Sequence, residues 1–276
     1  MLNILKYNII ENIKKGDAMD VIKIENLNLN FGSKVIYNNL NLEIKEKTWN
    51  SLLGSNGSGK TTLLKVILGL IKSDSVYIDG VKLDDNSKYK IRKKMGCVFE
   101  NPNYNLMCET VEEELANPLE NLNVEEKEIN IRIDNIIRLF KFSKEKKTSI
   151  KDLTIDEKQI LSIMVSLITS PKILILDEAF TFMNKSEKKR ILKILKKLDI
   201  TIISVTHDGE ELLFSDNLII LEEGKIKTND KKENIFEKEI LDDFPFIVEL
   251  SKKLQYYDLV NDISYSYKEL VDKIWE

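Results

Sequence analysis

Gly54-Ser55-Asn56-Gly57-Ser58-Gly59-Lys60-Thr61 has the residue types and spacing that hold a polyphosphate, fitting G-x-x-x-x-G-K-[ST]. Glycines let a backbone turn its N–H groups toward phosphate oxygens. A helix starting at the end of the loop presents its positive end to the same anion. Lys60 would bridge the β- and γ-phosphates of a nucleoside triphosphate, and Thr61 would ligate Mg²⁺. A dinucleotide fingerprint needs a further glycine where Thr62 stands. The competing reading, a flexible Gly/Ser turn, leaves the lysine and threonine in register unexplained.

A second group lies far downstream. Ile173-Leu-Ile-Leu176 is a continuous apolar run ending in Asp177-Glu178. Asp177 would hold Mg²⁺, and Glu178 would orient and deprotonate an attacking water. Acids also end strands for solubility alone; the loop upstream favours the chemical reading. His207, the protein's single histidine, follows another apolar run, Ile202–Val205. An isolated histidine is usually structural, but this one sits past a strand end, downstream of the acids.

The elements that must position these residues are legible in outline. Val21–Leu29 and Leu40–Ile44 alternate apolar and polar residues, as half-exposed antiparallel strands on one side of a mixed sheet would. Thr48–Leu53 leads into the glycine loop, and Thr61–Leu70 leaves it as a helix. Short strands are expected at Tyr77–Asp79 and Gly96–Phe99. Val111–Phe142 turns helical, and Ile160–Ile168 is a further helix stopped by Pro171. Ile173–Leu176, Ile202–Val205 and Leu218–Leu221 read as strands, the first buried on both faces. Lys188–Lys197 reads as a helix with an apolar side and a solvated lysine face. Strands alternating with helices give an α/β class.

Composition bounds the rest. The 276 residues are 42% apolar, enough for one sizeable core and a small second unit. With 42 basic and 46 acidic residues the net charge is -4, which disfavours a broad nucleic-acid footprint. Cys97 and Cys108 are too few for a disulfide framework and suit a reducing compartment. No apolar stretch approaches the roughly 20 residues that span a bilayer. The first residues are interrupted by Lys6, Asn8, Glu11 and Asn12 and do not form a secretory signal. Residues 1–19 are expected to be an N-terminal extension, with Met19 as an alternative start. Beyond residue 235 a tail carries an amphipathic helix opened by Phe244-Pro245-Phe246 and a last helix, Tyr267–Trp275, capped by Ser266 and Glu269. It is too small to fold alone and must pack on the main domain, a second copy or a related chain.

The order of glycine loop, Leu153-Thr154-Ile155-Asp156-Glu157-Lys-Gln159, Leu-Asp177-Glu178 and Thr-His207-Asp208 resembles an ATP-binding cassette ATPase over residues 20 to 230. Val98-Phe-Glu-Asn-Pro102, Thr110-Val-Glu-Glu-Glu-Leu115 and Asp243–Leu254 resemble the ATPase subunits of energy-coupling factor transporters, which import vitamins or transition-metal ions. The resemblance implies a P-loop NTPase core (20–235) with a mixed sheet, an antiparallel β subdomain and a helical insert over about 100–170, followed by a helical dimerisation extension (236–276). It implies ATP and Mg²⁺ as cofactors, Phe31 against adenine, Gly54–Thr62 on the phosphates, and Thr61, Asp177 and Glu100 at the metal. Glu178, His207 and Lys60 would carry the chemistry. Two ATPase subunits would pair head to tail, each ATP meeting the other subunit's signature segment. The pair would sit at the cytoplasmic face of the cell membrane, with a transmembrane coupling subunit and a membrane substrate-binding subunit.

The departures are uneven. The signature of the family, Leu-Ser-Gly-Gly-Gln, is here Leu153-Thr154-Ile155-Asp156-Glu157. Both glycines are gone, obstructing close backbone approach to the partner's ATP. Asp156 and Glu157 are expected to face that anion, a like-charge contact costing on the order of 4 kcal/mol at about 4 Å. Glu100 replaces a glutamine, Ala179 a proline and Asn184 an aspartate. Residues serving this chain's own nucleotide are intact, which predicts a heterodimer with one competent and one degenerate composite site. The alternatives are a catalytically impaired structural or regulatory subunit of such a transporter, and a soluble cassette acting on DNA repair or ribosomes.

Overall fold

A computed structural model of the protein describes residues 20–238, 240–241 and 244–275; the extension expected over 1–19 and Asp243 of the tail motif lie outside them. In chain order the strands are β1 (Asp20–Phe31), β2 (Lys34–Lys45), β3 (Trp49–Leu53), β4 (Val76–Ile78), β5 (Val81–Lys82), β6 (Met95–Val98), β7 (Ile173–Asp177), β8 (Thr201–Val205), β9 (Asn217–Glu222) and β10 (Lys225–Lys231). The helices are α1 (Lys60–Ile67), α2 (Lys88–Arg92), α3 (Val111–Glu120), α4 (Glu126–Phe140), α5 (Ile155–Leu167), α6 (Lys185–Leu195), α7 (Gly209–Leu212), α8 (Lys232–Glu237), α9 (Phe246–Tyr256) and α10 (Tyr267–Trp275).

The main sheet has six strands in the order β10-β9-β3-β8-β7-β6. It is parallel from β9 to β6, and β10 pairs antiparallel with β9 at one edge. β7 is apolar throughout because both its faces are covered. Ile173 and Ile175 enter a core shared with β1, β2 and α1, while Leu174 and Leu176 enter a core shared with α3, α4, α5 and α6. Each such side chain contributes roughly 1.5–3 kcal/mol of burial. Trp49 Nε1 donates to Ser204 Oγ (2.9 Å), and Ser51 Oγ bonds both Ser204 Oγ (2.8 Å) and Ser215 Oγ (2.6 Å), a buried polar seam across β3 and β8. A one-residue slip would break the seam and turn every side chain to the wrong face.

β1 and β2 do not join the main sheet as the sequence led us to expect. They form a separate four-stranded sheet, β2-β1-β4-β5, because β1 pairs with β2 and β4 and closes α1 from the other side. α1 ends at Ile67, before the expected Leu70, because Gly69 turns left-handed (φ 64°). The expected helical stretch 111–142 breaks into α3 and α4 where Asn123 takes φ 55°. β10, which alternates exposed and half-buried residues, had no apolar signal to reveal it. The tail packs on its own main domain: Leu270, Ile247 and Val248 share a core with Ile235, Leu218 and Leu212. α8 runs through the expected boundary at residue 235. Glu269 N–H donates to Ser266 Oγ (3.2 Å), but the Glu269 carboxylate reaches Tyr265 N–H (2.9 Å) rather than the cap residue.

Gly54 must be glycine. It has φ 151°, and a Cβ there would stand 2.3 Å from the Leu221 carbonyl oxygen. Gly54→Ala is expected to lower stability by about 2 kcal/mol or more, read as a shifted denaturant midpoint at unchanged slope.

Candidate active site

The loop after β3, the end of β7 and the end of β8 meet at one edge of the sheet, because their strands are parallel neighbours. Leu52 and Asp177 both pair with Val205, so Glu178 and His207 leave adjacent strands side by side. Open parallel sheets bind ligands beyond these carboxyl ends.

Gly54, Gly57 and Gly59 take positive φ values (151°, 80° and 108°), which curl the loop ahead of α1. Lys60 Nζ donates to the carbonyls of Gly54 (2.7 Å) and Ser55 (3.1 Å), folded over its own loop. Burial pushes its ammonium pKa down, against the pull of Glu178 and Asp177. Ser58 Oγ is buried without a hydrogen-bond partner. An orphaned hydroxyl, a buried ammonium and the start of α1 fit a phosphate group. Tyr37 donates from its buried hydroxyl to the Gly59 carbonyl (2.6 Å), which also accepts the Leu63 N–H (2.8 Å). No local pattern signals this contact, since Tyr37 looks like any inward residue of an alternating strand.

Thr61 Oγ1 donates to Asp177 Oδ1 (3.2 Å). Burial pushes the Asp177 carboxyl up, and Glu178 and Glu100 add to this, while Thr61 and Lys65 oppose it. Glu100 follows β6, whose Val98 pairs with Leu176, and so it leaves the same sheet edge. Hydroxyl and carboxylate oxygens suit Mg²⁺, which takes few protein ligands and keeps water and phosphate oxygens. No group of three or more His, Cys, Asp or Glu side chains able to hold a metal by themselves occurs among the described residues.

Glu178 holds φ 51°, uncommon for a residue with a side chain and frequent where function over-determines the backbone. Its N–H donates to the Val205 carbonyl (3.0 Å), and its own carbonyl accepts from Thr181 Oγ1 (2.9 Å). Glu178 Oε1 lies 3.6 Å from His207 Nε2. Phe31 is 52% exposed at the tip of the β1–β2 hairpin and is not part of the core.

The signature segment opens α5. Leu153 is buried, and Thr154 forms a capping box with Glu157. The two acids do not stand free toward an incoming anion, as the sequence implied. Asp156 Oδ2 accepts from Asn184 Nδ2 (2.6 Å), and Glu157 takes the Thr154 N–H (2.9 Å) and pairs with Lys144 (3.3 Å). Burial pushes the Glu157 carboxyl up, but Thr154 and Lys144 outweigh it and hold it below the usual range. Ile155, 46% exposed, and Asp156, whose bond to the neutral Asn184 amide leaves its charge in place, stand where the family has glycines.

A further expectation is corrected. Lys188 is not on a solvated face; it is buried, bonded to Asp208 and 3.3 Å from Glu211 Oε1. It lies three and four residues before Ile191 and Leu192, so helical spacing places it on the buried side. In the segment Thr110–Leu115, Glu114 is also turned inward, accepting from the N–H groups of Met107 and Cys108 (both 2.7 Å).

A glycine-loop fold with paired acids and a histidine at the carboxyl ends of parallel strands defines a P-loop nucleotide-binding protein. The family model described as ABC transporter matches residues 37–181. The energy-coupling factor transporter ATP-binding protein of Ligilactobacillus salivarius is 35% identical over 248 residues, covering 85% of this chain and 88% of that protein. Its counterpart from Onion yellows phytoplasma is 33% identical, covering 88% and 90%. Among solved structures, cbiO1 of Clostridium perfringens, described as part of the ABC transporter complex cbiONQ, has a TM-score of 0.75 at 28% identity, covering 86% of this chain and 95% of that one. A dimeric ATP-binding cassette in a post-hydrolysis state, bound to ADP and Pi, has a TM-score of 0.68 at 28% identity over 76% of this chain and 98% of that one. The chain belongs to the ABC transporter family, in its branch of energy-coupling factor transporter ATP-binding proteins.

Proposed function

We propose that this chain is the ATP-binding subunit of an energy-coupling factor-type transporter, hydrolysing ATP to drive import of a vitamin or transition-metal ion through partner membrane proteins. The observation that carries the reading is the convergence of Lys60, Thr61, Asp177, Glu178 and His207 at one sheet edge. Lys60 and the loop N–H groups bind and orient the phosphates. Thr61 and Asp177, with Glu100 beside them, hold Mg²⁺, which when bound neutralises phosphate oxygens. Glu178 orients water and accepts its proton, and His207 donates to the phosphate oxygens. Phe31 stacks on adenine.

The chain works in a pair with a second, related ATPase subunit whose signature retains its glycines. Ile155 and Asp156 are the reason: they disable the reciprocal site, while Gly54–Thr62 and Glu178 remain intact. The exposed Tyr256, Tyr257 and Trp275 of the tail extend the subunit contact. Exposed Tyr104 and Met107 lie within the segment that meets the membrane coupling subunit, which in turn serves a membrane substrate-binding protein. No helix among the described residues is long and apolar enough to cross a membrane, so attachment at the cytoplasmic face rests on these partners.

Restoring the glycines tests the pairing. Ile155→Gly with Asp156→Gly is expected to raise steady-state ATP hydrolysis by this chain alone at least about tenfold, despite the roughly 1 kcal/mol per glycine lost in helix propensity. A grafted chain no faster than wild type would remove the asymmetric assignment. Affinity purification from its native membranes is expected to bring down integral membrane subunits; recovery with ribosomes or DNA instead would favour a soluble cassette.

A further inference from the structure

Among the described residues the His207 side chain has no hydrogen-bond partner; its Nε2 lies 3.6 Å from Glu178 Oε1. Its aim therefore depends on how residues 206 and 208 are held. Asp208 N–H donates to Thr206 Oγ1 (3.0 Å), and Asp208 Oδ1 accepts the Glu210 N–H (2.7 Å) at the start of α7. The other oxygen, Oδ2, is bonded by Lys188 Nζ. Lys188 also reaches Glu211 Oε1 at 3.3 Å, and both Lys188 and Glu211 are buried. A cluster of buried Lys188, buried Glu211 and half-buried Asp208 thus backs the turn that carries His207.

Lys188 comes from a different part of the site. Its N–H donates to the carbonyl of Asn184, one turn earlier at the cap of α6 (2.9 Å). Asn184 in turn bonds Asp156 of the signature segment (2.6 Å). The remaining flank of the turn faces the tail: a Cβ on Gly209 would stand 3.1 Å from Pro245 Cα. Burial works against the Lys188 charge, but Asp208 and Glu211 outweigh it and hold the ammonium above its ordinary range. Burial pushes Glu211 up to about 7, whereas Asp208, also pushed up by burial, is drawn below the usual range by Lys188. The ammonium and the Asp208 carboxylate are the persistent pair.

We propose that Lys188 is a positioning residue for His207: by gripping Asp208 it fixes the 206–208 turn and so aims the imidazole at Glu178. This rests on the reading of His207 as part of the hydrolytic site. A surface ion pair would do little. This pair is buried at its lysine end, with side-chain exposure of 11% for Lys188 against 39% for Asp208. Losing Lys188 frees a half-exposed carboxylate to swing toward water, and losing the Asp208 charge strands a buried ammonium. The link also runs the other way along the chain, because α6 carries to Lys188 any displacement of the segment ending at Asn184.

The single histidine makes the test direct. The imidazole ring signals of the full-length chain, labelled at histidine, are recorded by NMR without nucleotide. Lys188→Met and Asp208→Asn are each expected to shift the His207 ring signals or split them into exchanging sets. Lys188→Arg is expected to restore the single wild-type set, and Glu211→Gln, which keeps the Lys188–Asp208 pair, to leave it in place. In the assembled ATPase, Lys188→Met is expected to lower kcat tenfold or more with the Kd for ATP within twofold of wild type. Ring signals of Asp208→Asn that coincide with wild type overturn the proposal, even where Lys188→Met fails to fold. Absence of Glu178-dependent hydrolysis in the wild-type assembly removes the catalytic reading, while the ring signals still decide the positioning role.

Discussion

Glu178→Gln is expected to lower ATP hydrolysis by the assembled subunit pair by about 10²- to 10⁴-fold, the range for losing a positioned general base. The Kd for ATP should stay within a few fold of wild type. Gln keeps the size and hydrogen-bonding of the side chain, and the backbone features that hold position 178 do not involve its carboxylate. Those features are the Glu178 N–H to Val205 bond and the Thr181 hydroxyl on the Glu178 carbonyl. The variant should therefore fold and trap bound nucleotide. Steady-state phosphate release against equilibrium ATP binding separates the two quantities. Intact hydrolysis in a pair whose other subunit carries the matching substitution would place the working base elsewhere.

The second large effect concerns Lys60. Its ammonium is the buried cation of the loop, and burial already presses it toward the neutral form. Without nucleotide it rests on the Gly54 and Ser55 carbonyls at 2.7 and 3.1 Å. A triphosphate offers full charges in their place, and charge-assisted bonds are worth about 1.5–3 kcal/mol each. Lys60→Ala should therefore weaken ATP binding by about 3 kcal/mol, roughly 10²-fold in Kd. Thermal stability without ligand should change far less, because the two carbonyls can bond water. The check is a titration of ATP followed by melting temperature. The wild type should gain stability with nucleotide concentration, and the variant should not within the same range.

Much of this site was legible because its strands are buried on both faces. β7 and β8 are apolar runs whose ends can only be the sheet edge, and the loop of Gly54–Thr61 carries its own spacing. Thr154 and Glu157 announced their capping box three residues apart. The failures have physical causes. β1 pairs with β4 across some fifty residues, a long-range choice no local pattern encodes, so the second sheet went unseen. β10 lies at an edge and pairs only with β9, so it needs no apolar face. Charge composition misled at Lys188, Glu114 and the signature acids. Lys188 and Asp156 found partners from distant segments, Glu114 and Glu157 nearby ones, and a charge with a partner no longer acts as sequence alone suggests. Lys188 could have been placed from its helical spacing to Ile191 and Leu192.

The hydroxyl of Tyr37 has a consequence for which nucleotides can be held. At Gly59 it ties β2, the strand that follows the hairpin tip bearing Phe31, to the cradle bearing Lys60. The span from aromatic ring to ammonium is then set when the chain folds, before any ligand arrives. The two ends act as the jaws of a fixed caliper. On the proposed reading of Phe31 and Lys60 as contacts to base and phosphate, a molecule that reaches only one jaw forfeits the other, and selection would act on length as well as on charge.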